Sequence, residues 1–170
     1  YYMYLYFANA REAIAPQRTA ASAAFMRLIE DVSRTEGLPV SAGSMALLIA
    51  PITTDAPPIT GVGLLELYDY GYAQLLSSQI DGHIPDVAVL ASERPIVTGQ
   101  SGSNVLSISL CGSKADIEEK MSKLRQMIVQ RQGDRSSVFQ RVRNFLTALG
   151  AFALSPLSAT VAEADADHCR

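Results

Sequence analysis

Residues that carry chemistry are scarce in this chain. Among 170 residues there are two cysteines, Cys111 and Cys169, and two histidines, His83 and His168. Two cysteines make neither a disulfide framework nor a metal-ligand spacing, so the expectation is reduced thiols in a cytosol. Cys111 closes an apolar run in Leu-Cys-Gly without an electropositive neighbour, and reads as a buried structural thiol. His83, just ahead of Pro85, reads as a loop residue, and no Ser-His-Asp or Cys-His grouping can be assembled. The expectation is a non-enzyme without a metal.

Positive charge is also short. Lysine and arginine number 14 against 17 acidic residues, a net charge of −3, with no clustered positive field of the kind nucleic acid requires. The one local excess of base, over 114–143, shares its helix with Asp116, Glu118 and Glu119 and reads as a solvated face. No segment reads as a membrane span, which needs roughly 20 apolar residues. The aromatic opening 1–7 is short and has no basic leader, so it does not read as a signal peptide. The apolar run 145–162 is broken by Pro156. Arg141 and Arg143 before it and Ala-Glu-Ala after it give a superficial likeness to a secretory signal, a device that acts at an N-terminus. A cytoplasmic chain without membrane or nucleic-acid partners is expected. Thr60-Gly-Val-Gly63 lacks a third glycine at dinucleotide spacing and runs into a strand-like segment, so it reads as a tight strand entry, and no cofactor is expected.

What is present is an ordinary globular balance, 48% hydrophobic and 18% charged. Phe25, Leu28, Ile29 and Val32 recur at helical spacing, predicting a helix over 19–36 that stops at Gly37 and Pro39. Short apolar runs predict strands at 45–52, 61–67 and 86–92. Asp69 caps a predicted helix to about residue 80, with Tyr72, Leu75 and Leu76 inward. Leu106, Ile108 and Leu110 alternate with Ser107 and Ser109, a strand with one face buried and one polar. Ser113 and Asp116 form a capping-box-like start to a helix whose stripe is Ile117, Met121, Leu124 and Ile128. A linker over 130–137 and a helix over 138–154 follow. The division is a 1–40 aromatic segment and helix, a 41–130 core domain, and a 131–170 linker, amphipathic helix and flexible tail. The fold class is α+β, a ferredoxin-like single sheet covered by helices on one face, with extra N- and C-terminal helices.

Within this pattern, Gly63-Leu-Leu-Glu66, Asp86-Val-Ala-Val-Leu90, the glycine-bearing loop Gly99, Gln100, Ser101, Gly102 and Ser103, and Val105 to Gly112 opening a helix at Lys114 follow one another in a telling order. Over 46–128 the chain resembles the bacterial microcompartment shell domain. The strand at 45–52 stands ahead of the unit, as in the circularly permuted members. The resemblance implies a self-assembling shell protein that forms cyclic hexamers or trimers, tiles with other shell proteins and holds cargo within a microcompartment. Its pore for small polar metabolites would be lined by Gly99, Gln100, Ser101, Gly102 and Ser103. Where the family carries an edge lysine, this sequence has His83, followed by Pro85, so His83 and Asp86 are the implied subunit edge. The helix at 138–154 either docks to cargo or a neighbour, or packs on its own domain.

Three rival readings stand beside it. One is a ferredoxin-like regulatory domain that binds a small molecule at the 99–103 loop. A second is a cryptically catalytic subunit, with Tyr70, Tyr72, Glu93, Arg94 and His83 converging in space. The third is a non-catalytic subunit of a larger complex that uses the exposed aromatic opening 1–6 as its contact surface.

Overall fold

The aromatic opening is buried in a sheet. Residues Tyr2–Phe7 form strand β1, and every side chain from Met3 to Phe7 is at most 5% exposed. In the computed structural model, the described residues are 2–34, 47–53, 63–80, 82–96, 105–129, 152–154 and 169. After β1 come a single 3-10 turn (Glu12–Ile14), α1 (Ala15–Arg34), β2 (Leu47–Ile49), α2 (Gly63–Glu66) and α3 (Tyr70–Ser78). Strands β3 (Val87–Ser92) and β4 (Val105–Ser109), helix α4 (Lys114–Val129) and strand β5 (Phe152–Leu154) complete them. The class is α+β, with a mixed five-stranded sheet in the order β2-β1-β3-β4-β5. Only β1 and β2 are parallel, and α1 lies on the crossover between them, as a parallel pair requires. The other three pairings are antiparallel.

Register assigns the faces. Met3, Leu5 and Phe7 stand opposite Ala91, Val89 and Val87, which continue to Leu106 and Ile108. This is an apolar face, and Phe25 and Leu28 of α1 with Ile117, Met121 and Leu124 of α4 supply buried stripes of the same kind. The two helices pack side by side, tied by Arg125–Asp31 at 2.9 Å and Arg27–Glu118 at 3.9 Å. Tyr2, Tyr4, Tyr6, Ala88, Leu90, Ser92, Ser107 and Ser109 share the opposite face. That face is covered too, and α3 meets it where Ser77 hydrogen-bonds Tyr6. Helices on one face only, as expected, is therefore corrected. So is the half-polar β4: Ser107 is 0% and Ser109 5% exposed. Small hydroxyl residues alternate with aliphatic ones here because both faces are packed, not because one meets water.

Local chemistry sets the helix ends. Pro16 lies in the first turn of α1, where a missing N–H removes no helix bond, so the helix starts earlier than its apolar spacing suggests. Asp69 caps α3 by accepting the Tyr72 N–H at 2.9 Å. Gly82, at φ 122°, turns the chain from α3 towards β3, a conformation that side chains with a Cβ rarely adopt. The Ser113 hydroxyl oxygen accepts the Asp116 N–H at 3.2 Å, and Asp116 accepts the Ser113 N–H at 3.0 Å, a closed capping box ahead of α4.

Three further expectations are overturned. The strand placed over 61–67 is helix α2 at Gly63–Glu66, closed by the Leu67 N–H to the Gly63 carbonyl at 3.1 Å. Apolar runs this short carry no periodicity to separate the two states. The end of the helix expected over 138–154 is strand β5, and its earlier residues lie outside the described ones. Cys111 and Cys169 are not reduced thiols but a disulfide, with Cα atoms 5.0 Å apart. The cytosolic expectation rested partly on those thiols and loses that support. Among the described residues, no helix is long and apolar enough to cross a membrane.

Candidate functional site

Strand β1 carries three tyrosines, Tyr2, Tyr4 and Tyr6, on one face, and the hydroxyls of Tyr4 and Tyr6 bond to the segments around them. The Tyr4 hydroxyl accepts the Ile96 N–H at 3.0 Å, fixing the chain just after β3. Burial pushes the Tyr4 phenol above its ordinary value, as it does that of Tyr6, which Ser77 of α3 partly offsets by its hydrogen bond. Tyr72 of α3 lies near enough to Tyr4 to raise it further. Leu47 and Ile49 of β2 are the register partners of Tyr2 and Tyr4 and so stand on the same face.

That geometry leaves an apolar area on the β2 side of the tyrosine face. Tyr72 is 46%, Leu75 53% and Leu47 49% exposed, and these are the exposed large hydrophobic residues among those described. Tyr72 and Leu75 are three apart on α3 and therefore neighbours on its surface. The expectation that both point inward is corrected: Ala73 and Leu76 fill that role at 0% and 3% exposure. Ile49 and Tyr2 are half-buried on the same sheet face, and the capping Asp69 carboxylate lies at the Tyr72 end of α3.

Elsewhere the site residues expected from the sequence are dispersed. The pore or ligand loop Gly99, Gln100, Ser101, Gly102 and Ser103 lies outside the described residues. His83 is exposed and Asp86 half-buried on the connection from α3 to β3, where the Asp86 carbonyl accepts the Ala8 N–H at 2.9 Å. His83 precedes β3, whereas Glu93 and Arg94 follow it, so the strand's length, roughly 3.3 Å per residue, holds them apart. Tyr70 is engaged by Arg18, which donates to its hydroxyl and also to the Ala10 carbonyl at 3.0 Å. The convergence of Tyr70, Tyr72, Glu93, Arg94 and His83 does not form. The aromatic opening is a buried strand from Met3 to Phe7 and not an exposed contact surface. Among the described residues, no group of three or more His, Cys, Asp or Glu is placed to hold a metal ion.

A concavity of about 250 Å³ lies between α1 and α4 and is lined by Leu28 and Met121 with Arg27, Asp31, Glu118 and Arg125. Its four charges are already spent on each other in the two ion pairs that join the helices. No family model, no curated protein and no solved structure matches this chain.

Proposed function

We propose that this chain is a structural subunit that assembles with copies of itself, in the manner of the shell-type domains it resembles. The observation that carries the reading is the exposure of Tyr72, Leu75 and Leu47, the exposed large hydrophobic residues among those described. Exposed apolar groups gathered at one place mark association surfaces, and in a symmetric assembly such an area can meet its own copy. It sits beside the three-residue edge strand β2, whose outer side pairs with no other described strand. Strands β3 and β4 followed by α4 keep the order that the resemblance implies, while α2 stands where its first strand belongs. In a cyclic trimer or hexamer the loop carrying Gly99 and Ser103 would gather at the axis, as the pore reading requires.

The test is the solution mass by light scattering, for the full chain and for the double variant Tyr72→Lys with Leu75→Glu. A trimer or hexamer that falls to single subunits in the variant is the expected result. A dimer keeps self-association and removes the ring. A monomer at every concentration overturns the proposal.

A further inference from the structure

We infer that the Cys111–Cys169 bond is a redox clamp that keeps β5 on the edge of β4. The anchor end is firm. Cys111 lies just beyond β4, its N–H donates to the Ser109 hydroxyl at 3.2 Å, and its Sγ is 3.8 Å from the Val87 carbonyl. Both half-cystines are buried, 9% and 7% exposed. The bond closes a stretch of 58 positions, and β5 is the one described element between α4 and Cys169.

The clamped element is weak by itself. Strand β5 pairs with β4 over three residues, Leu154, Ala153 and Phe152 against Val105, Leu106 and Ser107. A pairing this short has little hold on its own, and a cross-link that closes a long loop lowers the entropy gained by letting go. Backbone alternation identifies the groups at stake. The Leu110 N–H bonds the Val87 carbonyl on the β3 side, so Leu106 and Ile108 point the same way, and the amides of Val105 and Ser107 point at β5.

The switching step is ordinary thiol–disulfide exchange with a thiol reductant. One reductant thiolate attacks a half-cystine sulfur, the Sγ–Sγ bond breaks, and the released thiolate takes up a proton. A second reductant thiolate then attacks the reductant's own sulfur in the mixed disulfide and expels the remaining protein thiolate, which takes up a proton. Two electrons and two protons leave Cys111 and Cys169 as thiols and the reductant as its own disulfide. Since both sulfurs are buried, the exchange waits on local opening. Once reduced, β5 leaves, and the β4 edge is free to take a strand from another chain.

The test is amide hydrogen exchange by NMR on the full chain, with and without a dithiol. On reduction, the Val105 and Ser107 amides exchange at least tenfold faster, while Leu106 and Ile108, bonded to β3, keep their rates. Cys169→Ser shows the reduced pattern with no reductant present. Equal rates for Val105 and Ser107 in both states overturn the clamp, as do two titratable thiols in the denatured, unreduced protein. Acceleration of all four amides together also overturns it, because the bond then supports the whole fold and not β5.

Discussion

Tyr68 completes the sheet edge at Phe7: its hydroxyl accepts the Phe7 N–H at 2.8 Å, and the two rings lie 4.7 Å apart. The same hydroxyl donates to the Leu5 carbonyl at 3.1 Å. Strand β2 pairs only with Tyr2, Met3 and Tyr4, so beyond that point the outer edge of β1 has lost its neighbour. One phenol, accepting and donating, does there what the peptide of a longer β2 would do.

Removing that hydroxyl strands a buried donor and a buried acceptor. Tyr68→Phe keeps the ring and its contact with Phe7 but leaves both backbone groups unpaired. The expected loss is about 1–3 kcal/mol, read from urea unfolding at neutral pH. A loss under about 0.5 kcal/mol, the range of a neutral surface change, is incompatible with this role.

The tyrosines also set the alkaline limit. Tyr4, Tyr6 and Tyr68 are all raised above the ordinary value of 10.0, in each case by burial first. The folded chain therefore holds these protons more tightly than the unfolded one. Their stabilisation is complete below pH 10 and is lost as pH rises beyond it through the folded values. Melting temperature should hold steady up to that point and then fall, with phenolate absorbance appearing together with unfolding. Tyr68→Phe should flatten the decline. Phenolate that appears well before unfolding contradicts the burial argument.

Core packing between α1 and the sheet gives a third expectation. Phe25 is 0% exposed on the face of α1 that also buries Ala21 and Leu28. Phe25→Ala should cost about 3–5 kcal/mol, from lost transfer energy and the cavity left behind. Lys123→Ala, which removes an exposed pair with Glu119 at 2.6 Å, should cost well under about 1 kcal/mol. Comparable losses for the two substitutions would contradict the assignment of α1 to the core.

Much of this fold is legible where burial is one-sided. The helices α1 and α4 show in the spacing of Phe25 and Leu28 and of Ile117, Met121 and Leu124, because water on the opposite side imposes a polar face. Two-sided burial hides elements instead. Strand β1 has no polar alternation, since α3 and the apolar core each take one of its faces, and the Tyr4 and Tyr6 hydroxyls find partners inside. Helix α3 misleads for a related reason. Apolar residues lie on both of its sides, and spacing cannot tell buried Ala73 and Leu76 from exposed Tyr72 and Leu75. The disulfide leaves no local signal, because a separation of 58 positions says nothing about proximity. The candidate association area depends on the pairing of β2 with β1 and on where α3 packs against β1, long-range relations that no sequence window contains.

The acid limit should be governed in part by the cap of α4. Asp116 accepts the Ser113 hydroxyl at 2.6 Å and the Ser113 N–H at 3.0 Å, and these two bonds hold its carboxyl below the ordinary value. The folded chain thus favours the carboxylate more than the unfolded chain does. Its contribution is present in full above the ordinary value of 3.8 and is lost as pH falls through the lower folded value. Asp116→Asn should lower stability at neutral pH and make it less sensitive to pH in the acid range, because the titrating group is gone. Ser113→Ala removes the other half of the box and should cost about 1 kcal/mol at neutral pH. The two losses should not add in the double variant, since each substitution already breaks the Ser113–Asp116 bond. Urea unfolding of the four proteins at neutral and acid pH completes this cycle. Additive losses, or an unchanged acid profile in Asp116→Asn, would show that the helix starts without the box.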